Sequence, residues 1–224
     1  MNETEKIRLM FDRIVHKYDF LNRLLSLGQD IYWRKKMAKS AIDENTKLVL
    51  DLAAGTADST KVILKENVKV IGADISFEML YFGKEKLKDK KNYIATVASG
   101  YQLPFGDFVF DVVTCAFGIR NMHKTQEALK EIYRVIKKDG RVVILEFSLP
   151  ENSLKHLYVF YLKKVVPFIA SLFSNRSAYE YLAESIKNFY RPREFVRLLE
   201  ESGFRDTKAY SLSFGCVHLY IGVK

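Results

Sequence analysis

The chain has 224 residues, of which 48% are hydrophobic and 28% are charged; these proportions fit one globular domain and exclude a disordered or fibrous protein. Its two cysteines, Cys115 and Cys216, exclude a disulfide framework and indicate a reducing compartment. The net charge of +9 would suit nucleic acid or an anionic membrane, but the basic runs lie on helical segments with apolar opposite faces, which is typical of solvated surfaces.

The first 45 residues are predicted to be helical. An apolar stripe at helical spacing consists of Ile7, Met10, Phe11, Ile14 and Tyr18. Gly28 is predicted to cap the end of a helix, and a further helix is expected over residues 33–42. The polar N-terminus has no apolar signal core, so we expect a cytoplasmic location. Residues 1–45 are expected to cover the ligand crevice of the sheet that follows.

A strand, a tight turn and a helix are predicted around residues 48–58. The apolar run ends at Asp51, small residues including Gly55 form the turn, and a helical period begins at Ser59. In an open α/β sheet, ligands bind beyond the carboxyl ends of the strands, close to helix N-termini. Asp51 puts a negative charge at this place, which favours a cationic or hydroxylated ligand.

A second acid, Asp74, ends the next predicted strand, residues 68–73. An acid about 20 residues past such a turn is placed to accept hydrogen bonds from a ribose diol. Either acid alone could simply cap the helix or turn that follows it, but the pair at this spacing favours a nucleoside. A dinucleotide fingerprint is absent because Gly55 stands alone between Ala53 and Ala57. The arrangement resembles class I S-adenosylmethionine-dependent methyltransferases, in which a glycine is usual at position 57.

Further strands are predicted in regular alternation with helices. They cover residues 92–97, 110–116, 141–147, 207–214 and 216–223, the last two turning at Gly215. A helix before the third of these is expected to stop at residues 137–140, and another runs from Pro192 to Gly203. The predicted fold is α/β and Rossmann-like. Its seven-stranded, mostly parallel sheet has an antiparallel C-terminal strand pair and helices on both faces, in one domain of residues 1–224.

Residues 154–173 are strongly apolar and aromatic. A bilayer span needs about 20 apolar residues, and Lys163, Lys164 and Pro167 interrupt this run. The simpler interpretation is a helical insertion, residues 151–190, that packs on the core. The functional interpretation is an apolar wall that binds a long apolar substrate and contacts the membrane surface from the cytoplasmic side.

Several blocks outside the turn are far more specific than a general methyltransferase pattern. They are residues 11–14, 18–22, 25–28, 33–34, 103–105, 110–111, 117–121, 134–137, 145–150 and 181–186, beside the turn itself at 51–58. Through them the chain resembles, over nearly its whole length, the ubiquinone/menaquinone biosynthesis C-methyltransferase family, especially its demethylmenaquinone-methylating members. The resemblance implies S-adenosyl-L-methionine as cofactor, S-adenosyl-L-homocysteine as product, and a prenylated, lipid-soluble quinol as substrate, demethylmenaquinol being converted to menaquinol.

The resemblance also implies a cofactor site. Its residues are Thr56, Asp74, Ser99, Gly100 and Ala116, to which the turn adds Asp51 and Gly55. Ala57, the Ser99–Gly100 pair and Ala116 depart from the residues usual in the family, so we expect cofactor binding to be weaker or arranged slightly differently.

Arg120 and Asn121 are the predicted catalytic residues because they directly follow the fourth strand, on the loop between cofactor and substrate. Arg120 is assigned to stabilising a ring oxyanion and Asn121 to positioning substrate or water. The structural alternative for Arg120 is a surface ion pair with Glu127 or Glu131. Reserve candidates are Tyr18, Asp19 and His218.

Two other classes of function compete with quinol methylation. A nucleic-acid methyltransferase would fit the charge, but the chain lacks an Asn/Asp-Pro-Pro-aromatic clamp and a Pro-Cys nucleophile, so no nucleic-acid partner is expected. A different small-molecule substrate, or a non-catalytic protein that binds cofactor or lipid, is the other alternative. The four histidines and two cysteines show no metal-ligand spacing. The quinone nucleus, tail length and oligomeric state stay open.

Overall fold

The computed structural model describes residues 2–173 and 176–224. The helices are α1 (Glu3–Leu25), α2 (Gln29–Ala41), α3 (Asp58–Ile63), α4 (Phe77–Lys86), α5 (Thr125–Val135), α6 (Lys155–Phe160), α7 (Val166–Phe173), α8 (Arg176–Asn188) and α9 (Pro192–Glu201). The strands are β1 (Leu48–Leu52), β2 (Lys69–Asp74), β3 (Tyr93–Val97), β4 (Phe110–Ala116), β5 (Ile136–Phe147), β6 (Arg205–Leu212) and β7 (Val217–Val223).

The strands form one seven-stranded sheet in the order β3-β2-β1-β4-β5-β7-β6. Neighbours from β3 to β5 are parallel, whereas β7 runs antiparallel to both β5 and β6. The predicted mostly parallel sheet with an antiparallel C-terminal pair is therefore confirmed. From β1 the chain adds β2 and β3 on one side of the sheet and then β4 and β5 on the other side. A crevice opens at such a switch point, between β1 and β4.

Both faces of the sheet are covered by helices. Phe110, Ile132 and Phe195 belong to a fully buried cluster on one face, to which α5 and α9 contribute. Met37 and Val143 belong to a second cluster, to which α2 contributes. Burial on both faces explains why β4 reads as a continuous apolar run.

Two predicted boundaries differed most from the observed ones. Helix α2 begins at Gln29, directly after Gly28, which has a φ of 75° and so turns the chain between α1 and α2. Strand β5 begins at Ile136, where the sequence suggested that a helix would continue and stop at Lys137–Gly140. Asp139 adopts the left-handed conformation there (φ 62°), and Ile136 pairs with Phe110 across a register shift.

The apolar stretch of residues 154–173 forms α6, a π-helical turn at Tyr161–Val165, and α7. Pro167 has no N–H to donate, which accounts for the irregular turn that precedes it. Leu162, Val166 and Ala170 pack against α1 and α8 in a third apolar cluster. Among the described residues, no helix has the length and apolar character that crossing a bilayer demands.

Candidate active site

A cleft of about 750 Å³ lies at the carboxyl ends of β1, β2 and β4, under α1. Its floor is formed by the loops after β1 and β4, which touch closely: a Cβ on Gly118 would lie 2.4 Å from that of Ala53. Its roof includes Ile7, Phe11 and Tyr18 of α1. The N-terminal helix thus closes the crevice that the strand order opens.

Asp74 lines this cleft at the end of β2. Its carboxylate accepts hydrogen bonds from the backbone N–H groups of Gly55 and Ser76, both at 2.9 Å. Burial raises the pKa of Asp74 to about 6, while these N–H donors lower it. Each carboxylate oxygen keeps lone pairs for further donors, so Asp74 can accept the hydroxyls of a ribose.

Asp51 and Thr56 lie next to the cleft without lining it. Asp51 is 1% exposed, and its two oxygens accept hydrogen bonds from the Thr60 and Thr114 hydroxyls at 2.6 and 2.8 Å. The Thr56 hydroxyl donates to Asp19 of α1 at 2.5 Å. Both side chains are hydrogen-bonded to neighbouring elements, and their direct contact with a ligand stays a prediction.

The turn after β1 is built on left-handed backbone. Ala53, Gly55 and Ala57 have φ values of 55°, 52° and 64°. Only glycine adopts this conformation without a steric cost. Helix α4 packs directly on the turn, since a Cβ on Gly83 would lie 3.0 Å from that of Ala57. Ala57 is fully buried there.

The other predicted cofactor residues face the cleft. Ser99, Gly100 and Ala116 line it, and so does Asn121, whose Oδ1 accepts a hydrogen bond from the Tyr181 hydroxyl at 3.1 Å. Apolar walls come from Ile75 and Met79. A cleft with a ribose acceptor, apolar walls and a narrow backbone floor fits S-adenosylmethionine.

A second, larger cavity of about 1240 Å³ lies beside the cleft and is called the chamber below. Its lining is mainly apolar and aromatic and includes Phe147, Tyr158, Tyr161, Leu162, Val166, Tyr179, Leu182 and Ile186. Three residues, Phe11, Tyr18 and Phe117, line both cavities. The cleft and the chamber therefore adjoin at these three side chains.

Arg120 lines the chamber rather than the cleft. Its Nη1 atom donates to Glu146 Oε1 at 2.7 Å and to the Phe117 carbonyl at 2.6 Å. The two charged side chains are 5% and 0% exposed. Burial raises the pKa of Glu146, and the Arg120 charge opposes that shift. The suggested ion pair with Glu127 or Glu131 was wrong: those glutamates bind Lys124 and Arg134.

The reserve candidates occupy three different places. Tyr18 stands at the junction of the two cavities, and burial raises its pKa although Arg34 and Arg120 oppose the shift. Asp19 is bonded to Thr56 and to Lys86. His218 pairs with Glu146 in the β5–β7 register but lines neither cavity.

Two charged residues near the chamber, Glu146 and Arg34, were not identified from the sequence as part of the site. Glu146 ends β5 just as Asp51 and Asp74 end their strands, and this shared position was a signal that could have found it. Arg34, on α2, is 7% exposed and lines the chamber. A basic residue directly after the only tryptophan, Trp33, within an apolar helix was the available signal.

Comparison with known proteins shows the family to which the chain belongs. A model of the ubiE/COQ5 methyltransferase family matches residues 1–224. The ubiquinone/menaquinone biosynthesis C-methyltransferase UbiE of Geotalea uraniireducens is 43% identical over 98% of this chain and 97% of that protein. The demethylmenaquinone methyltransferase of Thermotoga maritima is 40% identical over 95% of this chain and 93% of its own.

Solved structures share the fold at much lower identity. An S-adenosylmethionine-dependent methyltransferase from Thermotoga maritima superposes with a TM-score of 0.70 at 20% identity, covering 96% of this chain and 98% of the other. At that identity the likeness concerns the fold alone, which is the class I methyltransferase fold.

Proposed function

Because the chain belongs to the ubiE/COQ5 methyltransferase family, we propose that it converts demethylmenaquinol to menaquinol. It is an S-adenosylmethionine-dependent C-methyltransferase of quinone biosynthesis, as its relatives' names indicate. The observation that carries the choice of a quinol is the chamber: a large aromatic cavity adjoins the cofactor cleft and shares Phe11, Tyr18 and Phe117 with it.

The cofactor would be held in the cleft, where Asp74 can accept hydrogen bonds from its ribose and Ile75 and Ser99 line the wall. Gly55 holds the Asp74 carboxylate in place through its N–H, and Gly100 lets the Met122 side chain pack closely against the wall. Asp51 and Thr56 support the turn from behind through their hydroxyl and carboxylate partners. When bound, the cofactor supplies an electrophilic methyl group, and S-adenosyl-L-homocysteine is the product.

The chain's own residues have to make one ring carbon of the quinol nucleophilic. The quinol loses a hydroxyl proton, and the resulting oxyanion raises the electron density at the neighbouring ring carbon. That carbon forms the new C–C bond as the methyl–sulfur bond breaks, and loss of the ring proton restores aromaticity. The protein must hold carbon and methyl in line at near-attack distance and place donors around the oxygen.

Arg120 and Asn121 are proposed to carry these tasks from the two sides of the junction. Arg120 Nη2 makes no hydrogen bond with the described residues, so it is available to a ring oxygen in the chamber. Asn121 faces the cleft, where its amide, fixed by Tyr181, can position substrate or a water that accepts the proton. Glu146 holds the Arg120 guanidinium in a fixed orientation.

The prenyl tail is proposed to leave the chamber along α6 and α7, with residues 151–190 as the substrate wall and residues 1–45 as the cover of a single domain, 1–224. Leu157, Phe160 and Phe168 on this wall are 65%, 58% and 68% exposed, next to exposed Lys163 and Lys164. Apolar side chains beside lysines favour peripheral contact with an anionic membrane, from the cytoplasmic side.

The test is methyl transfer to a reduced demethylmenaquinone from methyl-deuterated S-adenosylmethionine. Mass spectrometry should find the label on a ring carbon of the quinone. Quinones extracted from cells that lack the protein should in turn contain the demethylated species. Label on an oxygen or in RNA, with unaltered quinones in the cells, would contradict the proposed function.

A further inference from the structure

Arg34 is a buried cation without a carboxylate partner. Its Nη1 atom donates to the hydroxyl of Ser59, its Nε–H is buried without any acceptor, and its guanidinium lies 5.2 Å from the centre of the Phe117 ring. It forms no ion pair with any carboxylate among residues 2–173 and 176–224. The side chain nevertheless lines the chamber.

The contrast with Arg120 shows what is unusual here. The charge of Arg120 is neutralised by Glu146 at 2.7 Å. Arg34 instead contacts a hydroxyl and an aromatic face. Its charge opposes the burial that raises the pKa of Asp51 and helps to lower the pKa of Asp58, without an ion pair to either. Both arginines act on Tyr18, since each lowers the pKa that burial raises. They therefore stand around the junction between cleft and chamber, where the reacting ring must lie.

Placing an unpaired cation in an apolar cavity costs free energy unless a ligand supplies the opposite charge. Planar guanidinium groups suit oxygen anions because their N–H donors are fixed in a fork. We propose that Arg34 binds the ionised ring oxygen of the quinol inside the chamber, so that it, rather than the neutralised Arg120, supplies the net positive charge. This inference rests on the proposed function, because it needs an aromatic ring oxygen in the chamber.

The alternative is a structural role, in which Arg34 merely fastens α2 to α3 through Ser59. The two roles differ in one respect: a binding role depends on the charge of the ligand, and a fastening role does not. A matched pair of ring probes separates them. 2-Hydroxy-1,4-naphthoquinone is an anion at neutral pH, and its 2-methoxy ether has nearly the same shape without the charge.

The experiment titrates both probes into the protein saturated with S-adenosyl-L-homocysteine, following the quinone absorbance. For Arg34→Met, a change of similar volume, the dissociation constant of the anion should rise by about tenfold to a hundredfold, while that of the ether changes by less than about twofold. Arg34→Lys should recover part of the affinity for the anion because it keeps the charge but loses the fork.

Lys36→Met is the control, since it removes one positive charge from the exposed face of the same helix, and should leave both constants unchanged. Binding of S-adenosyl-L-homocysteine and the melting temperature report whether each variant is folded. If Arg34→Met weakened the binding of both probes equally, or of neither, the inference would be overturned. Methylation of demethylmenaquinol by the wild type would still support the proposed function in that case. If the wild type bound neither probe and methylated no quinol, both would fall.

Discussion

Ala57 carries a backbone strain that glycine would not. Its φ of 64° is left-handed, which costs a non-glycine residue about 1–2 kcal/mol. Ala57→Gly relieves this strain but adds unfolded-state entropy and removes a buried methyl group. We expect the free energy of unfolding to change by less than about 1 kcal/mol, and cofactor affinity to stay equal or rise, as measured by calorimetry.

The control is Ala54→Gly, because Ala54 is buried beside the same turn but has no positive φ. Without strain to relieve, it should only lose stability, by about 0.5–1 kcal/mol or more. A clear loss of cofactor affinity in Ala57→Gly would show that the turn is adapted to alanine.

Asp74 should make cofactor binding depend on pH. With a pKa of about 6, the carboxyl is ionised at neutral pH and can accept both ribose hydroxyls, whereas protonation turns one oxygen into a donor. Affinity for S-adenosyl-L-homocysteine should therefore fall from about pH 7 to about pH 5, approaching tenfold per unit below the pKa. Isothermal titration across this range is the measurement.

The matched variant is Asp74→Asn, which should bind more weakly and lose this pH dependence. In the ligand-free protein, the contribution of Asp74 to the free energy of unfolding depends on pH in the opposite direction to its contribution to binding. The raised pKa means that Asp74 contributes stability below its unfolded value, and that contribution is lost as the pH rises through about 6. An unchanged pH profile of binding in Asp74→Asn would assign the titration to another group.

Arg120 combines a proposed catalytic donor with a structural ion pair. Arg120→Lys should lower kcat with little change in cofactor binding, and Arg120→Ala should lower it further, by about 10²–10³. Because Glu146 is fully buried, Arg120→Ala should also cost about 3–5 kcal/mol of stability. A surface ion pair would contribute only about 0–1 kcal/mol.

Glu146 sets the pH dependence of that loss. Its pKa is already raised by burial, and without Arg120 it rises further, so the variant should lose stability as the pH rises. Chemical denaturation at several pH values measures this, with Arg120→Ala/Glu146→Gln as the matched double variant, in which the dependence should vanish. If Arg120→Lys and Arg120→Ala both turned over at the wild-type rate, Arg120 would not be catalytic and Tyr18 would become the candidate.

At the scale of single elements, strands were predictable and side-chain directions were not. The buried parallel strands read as apolar runs because helices cover both their faces, so β4 was predicted at its observed bounds, Phe110–Ala116. Which way a strand-end acid points depends on register with its neighbours. Asp51 lies opposite Gly72 and Thr114 in the sheet register. The Thr114 hydroxyl donates a hydrogen bond to one oxygen of Asp51, which does not line the cleft.

Helices α6 and α7 should bind membranes through their exposed apolar residues. Phe160→Ser and Phe168→Ser remove side chains worth about 1.5–3 kcal/mol each when fully buried, so each should lower partitioning onto anionic vesicles by about tenfold. Sedimentation with vesicles measures this, and high salt should weaken the binding through Lys163 and Lys164. Tyr210→Ser, on the exposed edge strand β6, is the control and should bind as the wild type does.

Neutral vesicles separate the two contributions to that binding. The phenylalanine variants should still lose affinity for them, whereas added salt should have no effect there. If Phe160→Ser, Phe168→Ser and Tyr210→Ser all partition equally, α6 and α7 do not contact the membrane.

At the scale of the whole molecule, the sequence patterns were enough for the sheet and its ligand edge but not for the bonds that join distant segments. Arg120 and Glu146 lie 26 residues apart and meet because Ala116 pairs with Leu145 in the β4–β5 register. Arg34 reaches the chamber only through the packing of α2. Hydrophobic periodicity carries no information on either contact, since both are set by tertiary packing.

Two aspartates of helix α1 accept hydrogen bonds from the loops that follow β1 and β2. Asp19 accepts from Thr56 in the loop after β1 and from Lys86 of α4, and Asp12 accepts from Ser76 after β2. The cover over the cleft is thus fastened to the same segments that would hold the cofactor. A cofactor that orders those segments should order α1 as well.

Hydrogen exchange tests this coupling directly. S-adenosyl-L-homocysteine should slow exchange across residues 3–25, and leave the edge strand β6 unchanged. Asp19→Ala leaves Lys86 with Asp58 alone and frees Thr56, so exchange in α1 should be faster and cofactor affinity should fall by about tenfold. Arg13→Ala, an exposed change on the same helix, should alter neither. If the cofactor protected the strand-end loops but not α1, the helix would be a fixed roof rather than a cover coupled to binding.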